Sequence, residues 1–214
     1  LFIDKNANPE VIFVKDFKLQ SGKVEEFTLR NQPWSSAEDL GGGRLNPSLN
    51  LVQSFEKLNN TFETFKTKDS GGNPIFFDDP KEMFAGRDAR LAGTIMIPGS
   101  KYKGKDLDIW AGDTYGAKKE LPDGTVNQVV GLDGPIDGLN YTAQTGFLVR
   151  KFMDIATGSG QTGLQSEVWW VRYRLAEVYL NAAEAAFELN QHGKAADYLN
   201  VVRQRAGFEI DLTA

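Results

Sequence analysis

One histidine, no cysteine and many loop aspartates and aromatics set the chemistry open to this 214-residue chain. Nucleophilic catalysis needs a base held against a hydroxyl or thiol. The sole histidine, His192, falls in the turn Asn190-Gln191-His192-Gly193 with no acid or nucleophile patterned beside it, and reads as a solvated turn residue. Hydrolysis by two carboxylates needs a pair whose surroundings push their pKa values apart. Asp78, Asp79, Asp106, Asp108, Asp113, Asp133 and Asp137 include no such pair, and most read as turn formers. Asp106, Asp108 and Asp113 could together offer oxygens to calcium, but their spacing follows no regular calcium loop. Solvated acids are the stronger reading, so no metal is expected. The glycines form neither G-x-x-x-x-G-K-[ST] nor G-x-G-x-x-G between a strand and a helix, so no nucleotide and no other cofactor is expected.

The aromatics are different. Trp34 lies in the polar stretch Asn31-Gln32-Pro33-Trp34-Ser35-Ser36, and Trp110 lies between Asp106 and Asp113 with Tyr115 close by. Asn140-Tyr141 adds an amide and a ring to the same loop region. Sugars offer apolar C–H faces that stack on rings and hydroxyls that need planar polar partners. Trp34, Trp110, Tyr115, Asn140 and Tyr141 are therefore the candidate glycan-binding residues, against the plainer reading that a loop tryptophan pins its loop to the body. Trp169 and Trp170 are expected to open a helix, with at least one of them packing. Arg174, Glu177, Asn181 and Glu184 step by three, four and three along that helix. Such a polar stripe is better explained by ion pairs and hydrogen bonds than by a ligand groove.

These residues need a scaffold. Hydrophobic residues make up 41% of the chain, enough for a globular core, and the net charge of −5 argues against a nucleic-acid partner. No run approaches the length of a membrane span, and Leu1-Phe2-Ile3-Asp4-Lys5 has no secretory signal. Most of the 22 glycines precede residue 164, which predicts a loop-rich region up to there. Within it, residues 10–17 read as a strand buried on both faces, because they are short, apolar and β-branched. Gly41-Gly42-Gly43 reads as a turn that lets the backbone approach a neighbour. Asn46 is placed to cap a helix over 47–58 with Pro47 at its first position and Leu51, Phe55 and Leu58 on one stripe. Asp79-Pro80 opens a helical turn through Phe84. Leu91 to Ile97 and Gly146 to Phe152 read as strands, and residues 99–145 as a long loop of repeated turn signals.

From residue 165 the period changes. Ser166 stands as an N-cap, and Val171, Leu175, Val178, Ala182, Ala186 and Leu189 recur at helical spacing. A second helix follows from Lys194 to Ala206, with Ala195, Leu199 and Val202 inward and Gly207 closing it. This pair, spanning 165–207, is like one tetratricopeptide-type hairpin, which needs neighbouring repeats to bury its stripe. The chain is therefore expected to be part of something larger.

The residues of this hairpin carry a family resemblance. Trp170-Val171-Arg172-Tyr173-Arg174-Leu175-Ala176-Glu177-Val178-Tyr179-Leu180, with Leu199-Asn200-Val201-Val202-Arg203-Gln204-Arg205-Ala206-Gly207, resembles the signature helix pair of SusD/RagB-like proteins. Asn46-Pro47-Ser48 through Phe55-Glu56 is similar to the family's N-P-T-x-x-L-V-D-A-F-E segment, with Ser48 for threonine. Arg87-Asp88-Ala89-Arg90-Leu91 resembles its R-D-P-R-L element, with Ala89 for proline, and Gly146 to Phe152 resembles its G-Y-x-x-R-K-Y/F strand. The four elements occur in the family's order and cover nearly the whole chain; residues 100–140 match nothing in it.

The resemblance implies a mainly α fold with a tetratricopeptide-type helix hairpin and a loop-rich region carrying a few short β-strands. It implies the C-terminal portion of an extracellular lipoprotein of the outer membrane, anchored by a lipid outside this chain. Such a protein binds an oligosaccharide or related nutrient and presents it to a SusC-like TonB-dependent transporter, with no catalytic residue. The alternatives are a structural lid subunit of the transporter complex that binds little ligand itself and, against the weight of the residues, a carbohydrate-active enzyme.

Overall fold

The chain is described from a computed structural model. It covers residues 4–6, 8–39, 42–110, 118–120, 126–128, 131–135 and 141–213.

Residues 95–97 alternate in which side they face, as do Phe147 and Leu148, and this organises the body. β2 (Ile95–Met96) pairs antiparallel with β7 (Leu148–Val149). Successive side chains of a strand point to opposite faces. Met96 and Leu148 accordingly enter one core with Tyr102, Leu107, Ile109, Ala143 and Met153. Ile95, Ile97 and Phe147 enter the other with Val52, Phe84 and Leu91. A two-residue ribbon thus sits between two cores, apolar on both faces because both are covered.

The short elements around it differ from the sequence expectations in specific ways. Leu91 does not begin a strand: α3 (Arg90–Thr94) precedes β2, started by Asp88, whose carboxylate accepts the Arg90 N–H at 2.8 Å. α2 runs only from Leu49 to Gln53. Its cap is Ser48, whose Oγ accepts from Leu51 N at 3.2 Å, whereas Asn46 donates back to the Gly43 carbonyl at 2.7 Å. Val52 is its buried residue, not Leu51, which is exposed. The turn after Asp79-Pro80 forms over Glu82–Phe84. Residues 99–145 are not one long loop. They include the ribbon of β3 (Lys101–Tyr102) with β4 (Lys105–Asp106) and that of β5 (Lys118–Glu120) with β6 (Val126–Gln128). α1 (Phe27–Asn31) lies upstream of all of these.

β1 (Val11–Lys15) forms as expected, but it is not buried on both faces. Its one strand partner among the described residues is β8 (Trp170–Arg174), and Phe13 is left 64% exposed. β8 occupies residues expected to be helical. Trp170, Val171 and Tyr173 favour a pleated surface, and the available edge comes from a strand about 160 residues away, which no local period could reveal. Ser166 caps nothing; buried, it donates to Asp154 at 2.7 Å and accepts from Val168 N at 3.0 Å. Both tryptophans pack. Trp169 is buried, and Trp170 stacks on Phe152 with ring centroids 4.1 Å apart.

The helices α4 (Leu175–Glu188) and α5 (His192–Arg205) form the hairpin, so His192 lies in the first turn of α5 rather than in the connection. Their buried apolar residues are Ala176, Ala183, Ala186, Ala195 and Ala196, small enough for two helices to approach closely. Leu175, Val178 and Leu189, expected inward, are exposed. Arg203 ties the hairpin to the body: it pairs with Glu56 at 2.6 Å, donates to Asn60 at 2.6 Å and lies 4.0 Å from the centroid of the Phe208 ring. Leu148→Ala, which removes a fully buried side chain from the first core, is expected to cost about 2–5 kcal/mol in denaturant unfolding.

Candidate functional site

Leu107, Asp108, Ile109 and Trp110 alternate buried and exposed, as an extended segment does on a core. Leu107 and Ile109 enter the first core, which leaves the Trp110 ring outside at 47% exposure. Trp34 starts a tight turn, Trp34–Ser36, behind Pro33 and is half-buried. Tyr141, 38% exposed, precedes Thr142 and Ala143, both fully buried. Three of the five candidate residues are thus placed on the surface by neighbours that are anchored. Tyr115 and Asn140 lie outside the described residues.

Asp133 gathers the three segments. Its side chain is fully buried, at 0% exposure, and its carboxylate accepts from Ser35 N at 2.8 Å, Ser35 Oγ at 2.6 Å and Asp108 N at 3.1 Å. Its own N–H donates to the Asp108 carbonyl at 3.0 Å, and its carbonyl accepts from Ala143 N at 2.9 Å. Around it, Leu132 N donates to the Asp108 carboxylate at 3.1 Å and Lys105 Nζ to the Ser35 carbonyl at 2.9 Å. Gly131 N donates to the Trp110 carbonyl at 2.8 Å. Gly131 also lies under the indole: a Cβ there would come within 2.6 Å of Trp110 Cδ1 and 2.1 Å of the Asp108 carbonyl oxygen.

Arg44 completes the arrangement. Its guanidinium carbon lies 5.9 Å from the centroid of the Tyr141 ring, placing an exposed planar donor beside an exposed ring. The approach depends on Gly43, whose φ is +66° and where a Cβ would stand 2.4 Å from the Tyr141 carbonyl oxygen. Nearby, Glu38 accepts from Lys103 Nζ at 2.8 Å and from the N–H groups of Gly158 and Gly160 at 2.9 and 2.8 Å. Burial alone would raise the pKa of this carboxyl. The Lys103 ammonium and the two amides outweigh burial and hold it below the ordinary glutamate value. Of the acids weighed for calcium, Asp106 pairs with Lys101, Asp108 serves the Asp133 cluster, and Asp113 lies outside the described residues. Among the described residues no three such groups are placed to share a metal ion.

A cavity of about 540 Å³ lies elsewhere, between the hairpin and the body. Its cations are Arg90, Arg150, Lys151, Arg174 and Arg205, and its one carboxylate is Glu10. Burial, then repulsion from Arg174, lowers the Lys151 pKa; burial, then Arg205, lowers that of Arg174. The guanidinium groups have protein partners. Arg90 pairs with Asp88, Arg150 donates to the Lys101 carbonyl at 2.8 Å, and Arg174 and Arg205 both face Glu10. Of these contacts, the Arg205–Glu10 pair joins the hairpin to the body, and Arg174, expected on the helical stripe, instead ends β8 and faces Glu10 across the ribbon.

A family model, that of the SusD family, matches residues 9–211. The chain belongs to the SusD family. Two solved structures from Bacteroides fragilis share its fold. One is a SusD-like protein at 24% identity and a TM-score of 0.60, covering 97% of this chain and 37% of that one. The other is a SusD-like carbohydrate binding protein at 23% identity and a TM-score of 0.65, covering 97% and 36%. The chain thus spans little more than a third of the length of these relatives. No curated protein gives a significant match. The SusD-like fold here consists of helices with a few short strands, as the resemblance implied.

Sequence reasoning missed two members of this SusD-family loop cluster, Asp133 and Arg44. Asp133 stood only among the aspartates weighed for hydrolysis and read mostly as turn formers, and Arg44, directly after the glycine run, carried no signal of its own. Gly131→Ala is expected to displace the Trp110 ring. Acrylamide quenching of tryptophan emission should rise in that variant, but not when Trp110 is already phenylalanine. Glu38→Gln is expected to cost about 1–3 kcal/mol near neutral pH. A lowered carboxyl stabilises the fold above its unfolded pKa and loses that contribution as pH falls through the folded value. The difference between wild type and Glu38→Gln in urea titrations should therefore shrink as the solution is acidified.

Proposed function

We propose that this chain is the oligosaccharide-binding part of a cell-surface nutrient-binding protein at the outer membrane. It passes its ligand to a SusC-like TonB-dependent transporter and breaks no bond. The observation that carries this reading is that one buried aspartate joins the three separate stretches bearing Trp34, Trp110 and Tyr141, with Arg44 beside the Tyr141 ring. Rings that remain exposed over an anchored backbone suit the apolar faces of sugars, and a guanidinium suits their hydroxyls. Tyr115 and Asn140 extend the proposed site by residue type. Membership of the SusD family supports the same reading, as does a relative described as a carbohydrate binding protein. No helix among the described residues is long and apolar enough to cross a membrane. Attachment at the cell surface is assigned to a lipid anchor.

The hairpin has a second, structural role in this proposal. Leu180 and Phe187 on α4 and Leu189 directly after it are exposed, Leu189 at 67%, which suits a tetratricopeptide-type hairpin whose outer face packs on further protein. Were the lid role dominant, the protein would co-purify with its outer-membrane barrel and bind nothing across a glycan panel. Calorimetry on the full-length protein tests the binding role. Trp110→Ala and Trp34→Ala should each weaken oligosaccharide binding by about tenfold, the loss typical of an interface aromatic. Unchanged affinity in both variants for every glycan bound refutes the site.

A further inference from the structure

We propose that Asp133 is the positioning residue of this site: it fixes the Trp34 turn, the Trp110 segment and the Tyr141 segment in one arrangement and so sets ligand affinity without touching ligand. The inference rests on the aromatic-platform reading above.

Four features carry it. Asp133 is at 0% exposure, while Trp110 and Tyr141, whose segments it holds, are 47% and 38% exposed. Its partners are the immediate neighbours of the rings: Ser35 follows Trp34, Asp108 stands two residues before Trp110, and Ala143 two after Tyr141. The bonds to Ser35 span 98 residues and that to Asp108 spans 25, so separate loops are joined, not one turn closed on itself. Finally, the donors need an acceptor on both carboxylate oxygens. Ser35 N–H points to Oδ1, and Asp108 N–H with the Ser35 hydroxyl points to Oδ2.

An asparagine of the same shape cannot replace this. With its NH2 in the Oδ1 position it opposes Ser35 N–H, and in the Oδ2 position it opposes Asp108 N–H. Either way one buried N–H loses its acceptor, and the loops must shift to recover one. Burying a lone carboxylate is costly unless its hydrogen bonds are complete. The carboxylate joins the Trp34 and Trp110 loops, and the main-chain carbonyl of the same residue holds the Tyr141 segment. What the carboxylate adds is fixed geometry, and a platform already in its binding geometry loses less conformational entropy when ligand arrives.

Full-length protein is titrated by calorimetry with maltohexaose, xylohexaose and mannohexaose, and the variants are compared on the tightest binder. Asp133→Asn is expected to weaken binding tenfold or more and Ser35→Ala severalfold. The double variant Asp133→Asn with Trp110→Ala should bind no worse than Trp110→Ala alone, because Asp133 acts through the ring. Wild-type affinity in Asp133→Asn beside a weakened Trp110→Ala overturns the role of Asp133 and leaves the site standing. Unchanged binding in both Trp110→Ala and Trp34→Ala overturns the site itself. A ligand-independent measurement accompanies these. Hydrogen exchange in Asp133→Asn, or in Ser35→Ala should the former fail to fold, should quicken at 34–37 and 108–110 while 95–97 and 147–149 keep their protection. Unchanged exchange in the loops, or loss of protection everywhere, overturns the inference whatever the panel binds.

Discussion

A strand apolar on both faces needs cover on both sides, and the pairing of Ile95–Met96 with Leu148–Val149 meets that need with almost no sheet. The two residues of pairing send Met96 and Leu148 one way and Ile95, Ile97 and Phe147 the other, so each face seeds its own core. Neither core contains a long regular element. The segments over them must therefore find partners for buried backbone groups outside ladders and helices. Side chains supply these partners. The Arg87 guanidinium donates to the carbonyls of Phe55 at 2.8 Å and Glu63 at 2.5 Å, and Asn31 Oδ1 accepts from Leu45 N at 3.0 Å. Glu38 and Asp133 do the same with acceptor groups. Buried polar side chains here replace secondary structure.

This explains where the candidate site lies. Ile109 and Ala143 belong to the first core, and the exposed rings of Trp110 and Tyr141 stand one and two residues from them. The rings have little freedom of backbone beneath them, since the core holds one side and the Asp133 hydrogen bonds hold the other. A flexible loop bearing the same aromatics would have to be ordered by its ligand at the cost of affinity.

What the sequence revealed follows the range over which each signal acts. α4, α5 and Gly207 could be read because helical period and capping are local. β8 could not, since Trp170–Arg174 continues the helical spacing of α4 and turns into a strand only by meeting Val11–Lys15. The cap of α2 shifted by two residues because Asn46 had a nearer acceptor, the Gly43 carbonyl. In the site, Trp34, Trp110 and Tyr141 stood out as large rings in polar stretches. Asp133 did not, because a buried carboxylate and a turn aspartate share the same local sequence, and its donors lie 25 and 98 residues away. Arg44 was hidden for the same reason: its ring partner lies nearly a hundred residues further on.

The contrast between the hairpin cavity and the Asp133 cluster follows from charge pairing. Around the cavity the guanidinium groups are committed to Glu10, Asp88 and a backbone carbonyl, and the Arg205–Glu10 pair runs from hairpin to body. Each such pair repays the desolvation of its members only while both remain in place. A ligand there would have to break contacts that hold two parts of the chain together. Around Asp133 the charged group is buried and satisfied, and what faces outward is a set of rings with a guanidinium beside one of them. Binding there, as proposed, would remove water from apolar ring faces without breaking any hydrogen bond that holds the loops. Uncommitted surface over a committed base is the arrangement that would let such a site take up and release a neutral polar ligand with its fold unchanged.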